Sequence, residues 1–185
     1  MAKTRDLILS FDEFDPNHVV ADLEEIRKHN HQRFEMEQLT AVCHEDLGRG
    51  IAVGYKDLAL DEFWVRGHMP GAPLLPGVLT CEIAAQLCSF LAHRHNLLGT
   101  DGMLGFGGMN DVRFRGVVQP GKRVVVMVQL LKIRKGLLVT CRFQAFVERE
   151  LVAEGEILGV ALPPASTIRG GDAAEPGAAS APPAS

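Results

Sequence analysis

Apolar residues Val19, Val20, Leu23 and Ile26 recur at helical spacing behind Asp15-Pro16, a pair suited to a helix start. This predicts an amphipathic helix on the surface of the domain. From residue 34 onward the spacing shortens. Residues 39–43 and 50–55 read as strands joined by the turn Glu45-Asp46-Leu47-Gly48, with an earlier strand over 34–39. Residues 78–95 return to helical texture, but Val78, Leu79, Ile83, Ala84, Leu87, Phe90 and Leu91 cover nearly every side. A helix apolar all round is a buried helix. Leu104-Gly105-Phe106 then opens a strand leading into Val112-Arg113-Phe114-Arg115, and 122–133, 137–147 and 151–162 form three more. Arg134-Lys135-Gly136 and Glu148-Arg149-Glu150 are short enough to make these antiparallel neighbours. One long buried helix with a large antiparallel sheet predicts an α+β domain, the sheet wrapped around the helix.

Composition sets the limits. The 185 residues suit one domain, 46% apolar and 23% charged. Residues 163–185 are rich in Ala, Pro, Gly and Ser and are expected to be a disordered tail. Residues 1–33 form an N-terminal extension and 34–162 the main domain. A formal charge of −4 and a pI near 6.0 speak against a nucleic-acid partner. The N-terminus shows no secretory signal and no run is long enough for a membrane helix, so a cytoplasmic protein is expected. Cys43, Cys81, Cys88 and Cys141 form no C-x-x-C pair and sit in apolar segments, so four buried reduced thiols are expected. No metal grouping and no nucleotide-binding glycine motif stands out, and no cofactor is expected.

The chemistry concentrates in residues 63–86. Glu82 lies one turn into the apolar helix. Burial favours the neutral form of a carboxyl group, which is what a general acid needs. A solvated first-turn glutamate held by the helix dipole is the competing reading. Gln86 is one turn further on the same face and can orient Glu82 by a hydrogen bond. His68 stands between glycine and proline positions that fix its backbone, and an imidazole can both take up and return a proton. Alone it would be an ordinary loop histidine. Leu75-Pro76-Gly77 offers the helix no capping side chain. The first-turn amides are then open to a substrate oxygen, with water as the alternative. Together these pieces describe β-elimination of water: a histidine takes the proton beside a carbonyl, helix amides hold the oxyanion, and Glu82 protonates the leaving hydroxyl.

The run Gly67-His68-Met69-Pro70-Gly71-Ala72-Pro73-Leu74-Leu75-Pro76-Gly77-Val78-Leu79, followed by Glu82 and Gln86, resembles the signature of the 3-hydroxyacyl-[acyl-carrier-protein] dehydratases of type II fatty-acid synthesis. Glu82 and Gly77-Val78-Leu79 favour the non-isomerising branch. Met69 stands where that family usually has Phe. The resemblance implies a hotdog fold, a homodimer or trimer of dimers (a hexamer), and active sites at the dimer interface. It makes His68 the base and Glu82 the acid, with Gly77 and Val78 supplying oxyanion amides and Gln86 in support. Acyl carrier protein is the implied partner. Arg113 and Arg115 are the first candidates to contact it, with Lys122, Arg123, Arg134 and Lys135 behind them. Ordinary solvated strand-end charges are the competing reading for each. An acyl-thioester hydrolase and a non-catalytic acyl-thioester-binding hotdog protein are the alternative functions.

Overall fold

The computed structural model describes residues 6–99, 102–164 and 167. Most of the expected tail lies outside the described residues. The expected α+β architecture is present: a hotdog fold in which a six-stranded antiparallel sheet wraps one long helix. Its strands are β1 (Ala41–Asp46), β2 (Ile51–Asp57), β3 (Leu104–Phe114), β4 (Arg123–Arg134), β5 (Leu138–Val147) and β6 (Glu150–Ala161), in sheet order β1-β2-β4-β5-β6-β3. The helices are α1 (Leu23–His29) and α2 (Gly77–Arg94).

The long helix falls where its apolar texture predicts. Ile83, Leu87, Phe90 and Leu91 of α2 are fully buried against Val124, Val126, Val128, Phe143 and Ala145 of the sheet. Each such side chain contributes about 1.5–3 kcal/mol by leaving water. The helix can come this close because β2 has glycine at position 54. A Cβ there would lie 3.1 Å from Leu87 and 3.0 Å from the Ala41 carbonyl. The short β4–β5 and β5–β6 turns make antiparallel neighbours, as expected.

The N-terminal region differs from the sequence reading. Helix α1 begins at Leu23, not at Asp15-Pro16. The reason is backbone competition: the Val20 amide donates to the Val42 carbonyl at 2.8 Å, and Ala21 bridges to Val42. Those residues are tied to β1 before the helix starts. Asp22 then caps α1, accepting from the Glu25 amide at 2.9 Å. Residues 34–36 form a 3-10 turn rather than a strand, with Phe34 at φ 57°. Residues ahead of α1 line the outer face of the sheet. Ile8, Leu9, Phe11 and Phe14 pack on Val53, Met127 and Phe146, and the buried Gln144 side chain accepts from the Ile8 amide at 2.8 Å.

The cysteine expectation is also corrected. Cys43 and Cys81 are free and buried, but Cys88 and Cys141 form a disulfide joining α2 to β5. They are 53 residues apart in sequence, and only the packing of helix on sheet brings their Cα atoms to 6.6 Å. A reducing compartment would hold the same two thiols open.

Leu87→Ala removes a fully buried side chain from the centre of the core. We expect a loss of about 2–5 kcal/mol in urea-unfolding stability. A loss below about 1 kcal/mol would show that α2 is not the core's centre.

Candidate active site

The loop that carries His68 is fixed by its own backbone. The His68 amide donates to the Trp64 carbonyl at 2.8 Å, and the Leu75 amide donates to the Val118 carbonyl at 2.7 Å. The His68 ring reaches back across the loop, its Nδ1 2.8 Å from the Leu74 carbonyl oxygen. A carbonyl can only accept, so Nδ1 carries the hydrogen. In a neutral ring Nε2 then holds the lone pair, which is the arrangement a general base requires.

Helix α2 starts beside this histidine. Pro76 is its N-cap and makes no side-chain capping bond. The Leu79 amide finds the Pro76 carbonyl at 2.9 Å. By helix geometry the Gly77 and Val78 amides have no intrahelical acceptor. A Cβ at Gly77 would lie 2.8 Å from the Phe114 ring, so a larger residue here would have to push that exposed ring aside. His68, Gly77, Val78, Thr80 and Phe114 share one cavity of about 390 Å³. His68 and the first residues of α2 therefore line one cavity.

Glu82 does not. It lines two other cavities, the larger about 480 Å³ and shared with His31, Arg33, Met36 and Met103. Its side chain is half-buried in the single chain rather than enclosed. Gln86 is 2% exposed and donates through Nε2 to Glu82 Oε1 at 2.7 Å, as the i, i+4 spacing suggests. Cys81, next to Glu82, is no rival nucleophile, since burial pushes its thiol up to about 11. The structure thus brings together His68, Gly77 and Val78, and separately Glu82 and Gln86. One chain does not bring the two groups into one cavity.

Two features escape sequence reasoning. The Gln38 amide donates to Gln86 Oε1 at 2.9 Å, and the Asn30 side chain donates to the Gln86 carbonyl at 3.0 Å. Both residues are buried, which no periodicity signals for Gln or Asn. The candidate carrier contacts lie at the end of β3. Arg113 is exposed, with its guanidinium on the Val112 carbonyl. Arg115 is paired through Nε and Nη2 with the buried Glu154. Lys122 and Arg123 are paired with Glu148 and Asp57.

Comparisons with known proteins bear on the family and the fold. A family model described as a FabA-like domain matches residues 30–156. The chain is 40% identical to the 3-hydroxyacyl-[acyl-carrier-protein] dehydratase FabZ of Syntrophobacter fumaroxidans over 106 residues, 57% of this chain and 71% of that protein. It is 33% identical to FabZ of Clostridium botulinum over 140 residues, 75% of this chain and 94% of that one. Among solved structures, the dehydratase heterocomplex ApeI:P from Xenorhabdus doucetiae shares the fold, with a TM-score of 0.62 and 15% identity over 74% of this chain and 90% of that chain. The fold and the matched region define a FabA-like hotdog protein. More closely, the chain belongs to the 3-hydroxyacyl-[acyl-carrier-protein] dehydratase family of enzymes.

Gln86→Leu keeps the side-chain volume but leaves the Gln38 amide and Met36 carbonyl without their partner. The buried Gln38 amide left unpaired costs about 1–3 kcal/mol, so the melting temperature should fall by several degrees. An unchanged melting temperature would contradict the bonding described.

Proposed function

We propose that the chain converts a 3-hydroxyacyl thioester, carried on acyl carrier protein, to the trans-2-enoyl thioester in fatty-acid or related lipid synthesis. His68 is the base and Glu82 the acid. The carrying observation is that each is already oriented for its part: Leu74 leaves Nε2 of His68 free to accept, and Gln86 holds one oxygen of Glu82.

The steps follow from these atoms. The thioester carbonyl takes the Gly77 and Val78 amides, so charge developing on its oxygen meets two donors and the positive end of α2. His68 Nε2 takes the proton from the carbon beside that carbonyl. The C3–O bond breaks and Glu82 gives its proton to the departing hydroxyl, which leaves as water. A proton then passes from the imidazolium to the carboxylate, restoring both groups. No cofactor enters.

His68 and Glu82 line separate cavities of one chain, so a second copy is needed to join them. Strand β3 suits that contact. It pairs only with β6 among the described strands, and it exposes Phe106, Met109 and Phe114 along an open edge. An open apolar edge strand favours pairing with another strand. In a homodimer joined there, His68 of one protomer and Glu82 of the other form each site. The exposed Arg113 steers the acidic carrier to that edge, with Arg115 beside it.

Hydration of a crotonyl or longer enoyl thioester tests the roles. His68→Ala and Glu82→Ala should each lower the rate by about 10²–10⁴-fold with the fold intact. Near-wild-type rates in both, or thiol release with no change in enoyl absorbance, would contradict the proposal.

A further inference from the structure

The acid needs more than a neighbour; its two oxygens must be made unequal. Among the described residues the side-chain hydrogen bond to Glu82 comes from Gln86 Nε2, and an amide can present either its oxygen or its nitrogen. Which end faces Glu82 is decided elsewhere. The Gln38 backbone amide lies 2.9 Å from the other end of the Gln86 side chain. A backbone N–H can only donate, so the atom it meets must be the oxygen, Oε1. Nε2 is therefore turned toward Glu82. Its two hydrogens have two acceptors, the Met36 carbonyl and Glu82 Oε1, each at 2.7 Å.

The segment that makes these contacts is itself tied down. Asn30 closes α1, with its amide on the Ile26 carbonyl at 2.9 Å and its side chain on the Gln86 carbonyl at 3.0 Å. Arg27 grips Glu37 through Nε and Nη2 at 2.7 and 2.9 Å, and the guanidinium holds the Glu37 carboxyl below the usual carboxylate range. Arg33 reaches back to the Asn30 carbonyl at 2.8 Å and the Arg27 carbonyl at 3.1 Å. The Gln38 side chain bonds the Glu35 carbonyl at 2.6 Å. Gln38 and Gln86 are 1% and 2% exposed, so water does not compete.

We infer that residues 30–38 are a positioning clamp for the dehydratase acid: the Gln38 N–H and Met36 carbonyl fix the Gln86 amide so that it donates to Glu82 Oε1, leaving Oε2 as the oxygen that carries and delivers the proton. This rests on the acid role proposed for Glu82. Oε1 accepts from Gln86 whether Glu82 is charged or neutral. The acidic hydrogen is then confined to Oε2, and each turnover begins from one geometry rather than two. Gln38 and Gln86 are positioning residues, and neither touches substrate.

Proline at position 38 removes the one N–H at issue. Glu37 is already extended, at φ −75° and ψ 95°, as the residue before a proline must be. Gln38→Ala is the comparison, since it loses the same side chain but keeps the N–H. In full-length protein, kcat of Gln38→Pro should fall about tenfold or more below that of Gln38→Ala, with KM within about twofold. Equal kcat in the two folded variants overturns the clamp. A purely structural contact would lower the melting temperature of both without separating their kcat values. Glu82→Ala in the same assay keeps the underlying reading separate: if it stays active, the acid role fails and the clamp with it.

Should the proline variant not fold, the wild type gives the answer by nuclear magnetic resonance. The clamp requires both Gln86 side-chain amide protons to be protected from solvent exchange. Exchange as fast as that of an exposed glutamine overturns it.

Discussion

The Gln86 side chain sits inside the core at 2% exposure, and its amide oxygen and both amide protons have partners. That is the constraint on which the site depends. Helix α2 is buried on almost every side, and a buried amide left unpaired would cost about as much as a core methylene or two contribute. The chain satisfies it from the N-terminal segment on one side and from Glu82 on the other. A carboxyl group is thereby held at the border of an apolar helix in a defined orientation. The same helix begins at Gly77 behind Pro76, an N-cap that makes no side-chain capping bond to its first amides.

The other half of the proposed chemistry is built by different means. His68 owes its tautomer to a carbonyl in its own loop, and the loop owes its place to a backbone bond with Val118. Nothing in one chain carries His68 into the cavity of Glu82. The open edge of β3, with Phe106, Met109 and Phe114 exposed, supplies a physical reason for two chains to meet. In the proposed homodimer, association would do two things: cover apolar surface and complete the proposed reacting pair.

Much of this was legible in the residues, and the parts that were not share a cause. Helix α2 could be read because its apolar positions exceed what any surface helix needs. Strands β4, β5 and β6 could be read because short turns separate them. The Glu82–Gln86 bond follows from i, i+4 spacing on one helix. The helix start expected at Asp15-Pro16 moved to Leu23 because Val20 and Ala21 bond to Val42, a contact between distant positions that local periodicity does not register. The Cys88–Cys141 bond and the Gln38–Gln86 bond span 53 and 48 residues. They depend on how helix, sheet and N-terminal segment stack, and no spacing rule encodes that. Sequence reasoning singled out the candidate reacting groups, whereas the groups that hold them in place required the fold.

The central claim is that the reacting pair is shared between two copies, and mixing variants tests it most directly. His68→Ala and Glu82→Ala protomers are unfolded together, refolded as a mixture and assayed for enoyl-thioester hydration. In a mixed dimer one site inherits both defects and the other has intact His68 from one protomer and intact Glu82 from its partner. Activity should return to about a quarter of the wild-type rate per protomer for random two-fold pairing. A mixture that forms dimers yet stays as inactive as either variant alone would contradict the shared site.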